Sequence, residues 1–238
     1  MKEKLLKVLL SSILLVGLYT PFATNSVEAK AASVQEGVVD IVNGHLAVRS
    51  QPSGNASSIG TLKRSQKVNV YSQKNGWAHI QYGSKKGYIS LKYVRFYRTT
   101  SAGSVKKITD RAISTQRKTW EKAYTKNELY TIMSPAFTQA YIDGNFKTHY
   151  MKSGIRNGQQ LYSIIPTEIW GYGISTFDWY GKYGKKPTYS FYVKNNAEYL
   201  IVSQYQQNEE SGNNTMTLSL IKQPKSNWKV FGINRIYH

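Results

Sequence analysis

The chain has 238 residues, 32 Lys and Arg against 13 Asp and Glu, a formal net charge of +19, and no Cys. The missing Cys excludes a disulfide scaffold and a papain-like wall peptidase with its Cys nucleophile, so a packed core must supply the stability. A balance this basic is drawn to polyanions through its long-range field, or it serves solubility alone, and by itself it defines no site.

The N-terminus reads as a secretory signal. Lys2, Lys4 and Lys7 form a basic n-region, Val8 to Gly17 is apolar apart from Ser11 and Ser12, and Pro21-Phe22 closes the run. The small-x-small patterns Val27-Glu28-Ala29 and Ala29-Lys30-Ala31 both suit a signal peptidase, and cleavage after Ala31 is expected, with Ala29 as the alternative. The apolar run is shorter than the ~20 residues of a membrane span. No later segment is apolar enough to cross a bilayer. The expected setting is secreted and cell-wall associated, which disfavours nucleic acid as the partner of the excess charge. That charge is spread, with net +8 over residues 32–103 and +9 over 104–238.

Residues 37–97 alternate at short intervals between apolar runs and Gly, Pro and Asn, the pattern of a small, strongly bent antiparallel barrel. Val38 to Val42 is expected as a first strand and Asn43-Gly44 as a tight hairpin turn. Gln51 to Asn55 is a loop. Lys74-Asn75-Gly76 turns into a strand from Trp77 to Tyr82. Leu46, Val48, Ile59, Val68, Val70, Ala78, Ile80 and Ile89 are expected in the core. The order Leu46-x-Val48-Arg49-Ser50-x-Pro52, Ile59-Gly60-Thr61-Leu62, Val68-x-Val70, Gly76-Trp77-x-x-Ile80 and Gly87-Tyr88-Ile89 closely resembles the bacterial SH3-like (SH3b) domain. The resemblance implies a small barrel that binds peptidoglycan or its peptide stems, without catalysis. Candidate binding residues are Arg49, Tyr71, Trp77, Tyr82 and Tyr88, with His79 and Tyr93 nearby. Planar aromatics stack on sugar faces and Arg pairs with a carboxylate. The competing reading is that the aromatic rings form the core of so small a barrel.

Residues 98–104 are small and polar and read as a linker. Residues 105–238 read as an α+β domain with N-terminal helices and a curved antiparallel sheet. Val105, Ile108, Ala112, Trp120 and Ala123 follow helical spacing, with Gln116 as the one polar gap. Thr125-Lys126-Asn127-Glu128 matches a capping box, and Leu129, Ile132 and Met133 are the buried side of that helix. Ser134-Pro135 is expected to restart a helix that Asp143-Gly144 ends. The period then changes to two, with Tyr189/Phe191/Val193, Leu200/Val202/Gln204, Met216/Leu218/Leu220 and Trp228/Val230 each on one face. This order is similar to the nuclear-transport-factor-like (cystatin-like) cone fold.

No catalytic constellation or cofactor motif appears. The four His are scattered and form no zinc cluster with acids. Neither a Gly-x-Ser-x-Gly elbow nor a Ser-x-x-Lys pair occurs. Asp143, Glu168 and Asp178 meet the paired-carboxylate need of a glycosidase only by count. The segment 169–189 interleaves aromatic residues, glycines and lysines. Trp170, Tyr172, Trp179 and Tyr183 are its candidate ligand-binding residues, unless they line the core. The expected protein is exported, non-enzymatic and bacterial, with no metal or cofactor. Its partners are peptidoglycan and anionic wall polymers, plus a ligand of the second domain. The alternatives are a wall-targeted hydrolase with its active site in the second domain and a secreted factor acting on other cells.

Overall fold

The computed structural model describes residues 34–166, 173–207 and 212–238. The signal segment, Glu168, Trp170 and Tyr172 lie outside the described residues. Seven strands and a short 3-10 turn at Leu91–Tyr93 build the first region: β1 Gln35–Val39, β2 Leu46–Arg49, β3 Ser58–Leu62, β4 Lys67–Lys74, β5 Trp77–Tyr82, β6 Lys85–Ser90 and β7 Val94–Arg98. They run in the order β7-β1-β4-β5-β6-β2-β3. Alternation places Val68 and Val70, Ala78 and Ile80, and Leu46 and Val48 on the inner face with Val39, Leu62, Ile89, Val94 and Phe96. Ile59 is half-buried at the rim of this core. Asn75 and Gly76 both take positive φ, as the two-residue β4–β5 turn requires.

Asn43-Gly44 is not a hairpin turn. β1 pairs with β4 and β7, whereas β2 pairs with β3 and β6, so residues 40–45 carry the chain between non-adjacent strands. The first strand accordingly ends at Val39, and Val42 is exposed. The sheet curls into a half-barrel, and the second edge of β7 is occupied from outside. Phe96, Tyr97 and Arg98 pair with Val193, Tyr192 and Phe191.

The second region holds three helices: α1 Ala102–Lys118, α2 Lys126–Met133 and α3 Gln139–His149. β8 Tyr124–Thr125, β9 Tyr150–Arg156 and β10 Gln159–Ile164 form a small sheet in the order β8-β10-β9. β11 Thr188–Lys194, β12 Ala197–Gln206, β13 Asn214–Lys222 and β14 Lys229–Tyr237 form a curled antiparallel sheet that continues from β7. Leu200, Val202, Met216, Leu218, Leu220 and Val230 share a core with Val105, Ala112 and Ile113 of α1, Met133 of α2 and Ile142 of α3. Among the described residues no helix is long and apolar enough to cross a membrane.

Three helix boundaries differ from the sequence expectation. α1 stops at Lys118, before Trp120 and Ala123, where the Thr119 hydroxyl donates to the Gln116 carbonyl (2.6 Å) and closes the last turn. α3 starts at Gln139, not at Pro135. Val230 N–H donates to the Ala136 carbonyl (2.8 Å) and Thr138 N–H to the Val230 carbonyl (2.9 Å), which ties residues 136–138 to the edge of β14. Nor does α3 end at Asp143-Gly144. The Asp143 carboxylate accepts from the Tyr130 hydroxyl (2.7 Å) and the Gln139 amide (3.1 Å). It therefore does not compete for the backbone, and the helix runs on to His149. The β9–β10 hairpin was not expected, although Asn157-Gly158, both at positive φ, is its two-residue turn.

Candidate functional site

An outward row of side chains crosses four strands of the half-barrel. Tyr88 on β6 lies opposite His79 on β5 and Arg49 on β2. A register irregularity between Val70 and Ser72 sets Tyr71 beside the same row. The ring centroids are 5.6 Å apart from Tyr71 to His79 and again from His79 to Tyr88. Lys86 Nζ stands 5.6 Å from the centre of the Tyr88 ring, a cation–π contact. Trp77, two residues before His79, is half-buried on the same side of β5. The Arg49 guanidinium donates to the Ala56 carbonyl (2.8 Å) and so pins the loop 50–57 beside the row.

The row is a surface of π faces with a cationic margin. Partial burial, and then the nearby Lys86 charge, hold the His79 pKa below its ordinary value. His79 is therefore neutral at pH 7 and offers one N–H donor and one nitrogen acceptor. Rings of this kind pack against the C–H faces of sugars or the edge of an extended peptide. The guanidinium and ammonium at the margin suit a carboxylate. The row contains no carboxylate and no activated nucleophile.

Tyr82 stands apart from the other candidates. Its ring covers Gly60, where an added Cβ would come within 2.2 Å of it, and its hydroxyl contacts the Thr61 backbone at 3.4 Å. Parity along β5 puts it with Ala78 and Ile80, facing inward, so it packs on the core. Arg49, Tyr71, Trp77 and Tyr88 are brought to one side with His79, and Tyr82 is not.

Residues 44–95 match the family model of the bacterial SH3 domain. The matched span runs from just before β2 into β7. β1 lies outside it, although β1 pairs with β4 and β7 of the same SH3 sheet. No curated protein matches the chain. The SH3 domain thus carries the aromatic row on β4, β5 and β6, with Arg49 on β2.

Beyond the SH3 domain, Trp179 and Tyr183 face in different directions. Trp179 is half-buried against the helix–sheet core, near Phe177 and Tyr189. Tyr183 is exposed, with Lys182 Nζ 4.9 Å from its ring centre. The segment between them is pinned. Asp178 accepts from the Gly181 (2.9 Å) and Tyr183 (2.7 Å) backbone N–H groups, which hold its carboxyl below the usual carboxylate range. Gln204, buried on β12, accepts from Asp178 N–H (2.9 Å) and donates to the Lys185 carbonyl (2.9 Å).

A cleft of 420 Å³ lies instead between α3 and β14, lined by Tyr141, Asn145, Thr148, His149, Ile233 and Arg235. Sequence reading did not single out this site. Its one local signal is the stripe Tyr141, Asn145, Thr148, spaced four and three residues apart on one helix face. The Arg235 guanidinium is fixed by the Gly173 carbonyl (2.6 Å), Ser175 Oγ (3.0 Å), Gln206 Oε1 (3.2 Å) and Asn214 Oδ1 (3.2 Å). Burial lowers the His149 pKa and raises that of Tyr141, so both are neutral at pH 7. Asn145 Oδ1 is buried without a hydrogen-bond partner. Among the described residues no three His, Cys, Asp or Glu side chains gather where they would hold a metal ion.

Proposed function

We propose that this is an exported bacterial protein of two domains whose SH3 domain attaches it to peptidoglycan without catalysis. The observation that carries the reading is the outward row Tyr71–His79–Tyr88–Arg49, which lies within the matched SH3 residues. A continuous run of rings edged by cations suits a glycan strand or a stem peptide bearing a carboxylate. The second domain, of the helix-and-curled-sheet type, takes a ligand of its own. Binding is preferred over hydrolysis because Asp143 and Asp178, two of the three acids offered by the sequence, have structural work. Asp178 closes a turn and Asp143 holds Tyr130 to α3. The polar side chains that line the α3–β14 cleft are Tyr141, Asn145, Thr148, His149 and Arg235, none of them a carboxylate.

Sedimentation with purified peptidoglycan, stripped of anionic polymers, tests the reading. The paired change His79→Ala and Tyr88→Ala should leave the protein in the supernatant with its melting temperature nearly intact, because both side chains are only half-buried. Undiminished sedimentation of that variant would sink the proposal. Release of soluble fragments from the wall would overturn the non-enzymatic reading.

A further inference from the structure

A second cleft, of 230 Å³, opens between α1 and the turn that joins β13 to β14. Lys107, Ile108, Arg111, Lys222, Asn227 and Trp228 are among the residues that line it. Lys107 and Arg111 stand one helical turn apart and so share a face of α1, a spacing at which like charges weaken a helix. Among the described residues neither forms an ion pair. The neighbouring acid, Asp110, is bound by Lys106 at 2.5 Å. Arg111 makes one long hydrogen bond, 3.4 Å, to the Pro135 carbonyl. Lys222, by contrast, is balanced by Glu198 at 3.2 Å. The cleft therefore holds two uncompensated cations beside an indole. Edge-on contact with Phe191, at 6.0 Å and 69°, holds the plane of that indole.

We propose that this cleft binds one repeat unit of a sugar- or polyol-based phosphate polymer. The Arg111 fork and the Lys107 ammonium take the phosphate oxygens, for which a planar guanidinium is well shaped. The C–H face of the sugar or polyol lies against Trp228, and the Asn227 amide serves a hydroxyl. The volume falls below the ~300–1,000 Å³ of pockets that enclose a whole small molecule. One unit therefore sits in the cleft while the chain passes across the surface. An anionic bilayer is a poorer fit. A helix that lies on a membrane sets large apolar side chains in its interface beside the cations, and none of the side chains lining this cleft is a large exposed hydrophobe. The class of polymer rests on the wall setting proposed above. The site itself does not depend on the SH3 row.

Isothermal titration of the purified protein with soluble poly(glycerol phosphate) reads the site. The paired change Lys107→Gln and Arg111→Gln, on exposed helix surface, should weaken binding by about tenfold or more, the scale of losing charge-assisted hydrogen bonds. Lys147→Gln with Lys152→Gln removes the same charge from α3 and β9 and should leave the affinity unchanged. In an NMR titration the indole N–H signal of Trp228, assigned with Trp228→Phe, should shift on adding the polymer. Four results would overturn the site: undiminished binding by the Lys107/Arg111 variant, an equal loss in the Lys147/Lys152 variant, equally tight binding of inorganic polyphosphate, or preferential capture by anionic vesicles. The SH3 row is read separately, by sedimentation with polymer-stripped peptidoglycan. Failure of one reading therefore leaves the other standing.

Discussion

Tyr82 and Gly60 show how a single position decides between binding and packing. Its ring puts Tyr82 among the aromatic candidates, although the two-residue period of β5 sets it on the face of Ala78 and Ile80. The missing side chain at residue 60 gives its ring a place to lie against the core rim. Gly60→Ala would drive a Cβ to within 2.2 Å of that ring. The expected cost is about 1–3 kcal/mol in chemical denaturation, as for other overpacked sites. Gly54→Ala meets no atom within 4 Å and is the control. Equal stability of the two variants would show that the Tyr82 ring does not fill this space. Adding Tyr82→Ala to Gly60→Ala should remove the clash and make the two effects non-additive.

At the scale of the element, local chemistry sets the start of α2 and tertiary contacts set the start of α3. Thr125 Oγ1 accepts from Glu128 N–H (3.2 Å), and Glu128 Oε2 accepts from Thr125 N–H (2.7 Å), a closed capping box. Thr125→Ala should cost about 1 kcal/mol, the usual loss at such a cap. Thermal denaturation at pH 7 measures it, and an unchanged melting temperature would contradict the assignment. The Thr125 backbone N–H and then Arg156 hold the Glu128 carboxyl below its ordinary 4.5. For an acid with a depressed folded pKa, the stabilisation is present above the ordinary value and is lost as pH falls through the lowered one. The Thr125 hydroxyl also donates to that carboxylate (3.1 Å), a bond the alanine variant lacks, so the gap between Thr125→Ala and the parent should narrow in acid. α3 has its own cap in Thr138, but β14 holds Phe137 in a β-bridge to Val230, a contact no local window contains.

Over the described molecule, the SH3 core and the helix–sheet core are joined through one strand. β7 belongs to the SH3 sheet and also pairs with β11, and Asp40 lies at that junction. Its carboxylate takes Lys194 at 2.6 Å and Arg95 at 3.7 Å, while the Arg95 guanidinium lies over Tyr97 and Tyr192. Asp40→Asn would leave two half-buried cations facing each other. The expected loss is about 1.5–3 kcal/mol, the range for hydrogen bonds to charged groups. Hydrogen exchange should show the first loss of protection at Tyr97 and Tyr192. Unchanged stability and unchanged exchange at those two residues would mean that the junction adds nothing beyond the two cores.

The sequence by itself determined what depends on short spacings. The alternating faces of β4, β5, β12 and β13, the Thr125–Glu128 cap, the Asn75-Gly76 turn and the motifs from Leu46 to Ile89 are each written within a few residues, where a two- or 3.6-residue period and turn chemistry suffice. Asn157-Gly158 was equally legible as a hairpin signal. Other features were not, because they depend on residues far apart in the chain. The pairing of β7 with β11 joins the SH3 sheet to the second sheet. Gly60, 22 residues before Tyr82, gives that inward-facing ring its place against the core rim. Lys107 and Arg111 meet Trp228 only because α1 packs across the sheet that β14 edges. Sequence pattern tells which face of an element is apolar, and only the packed molecule decides which charges and rings meet at its surface.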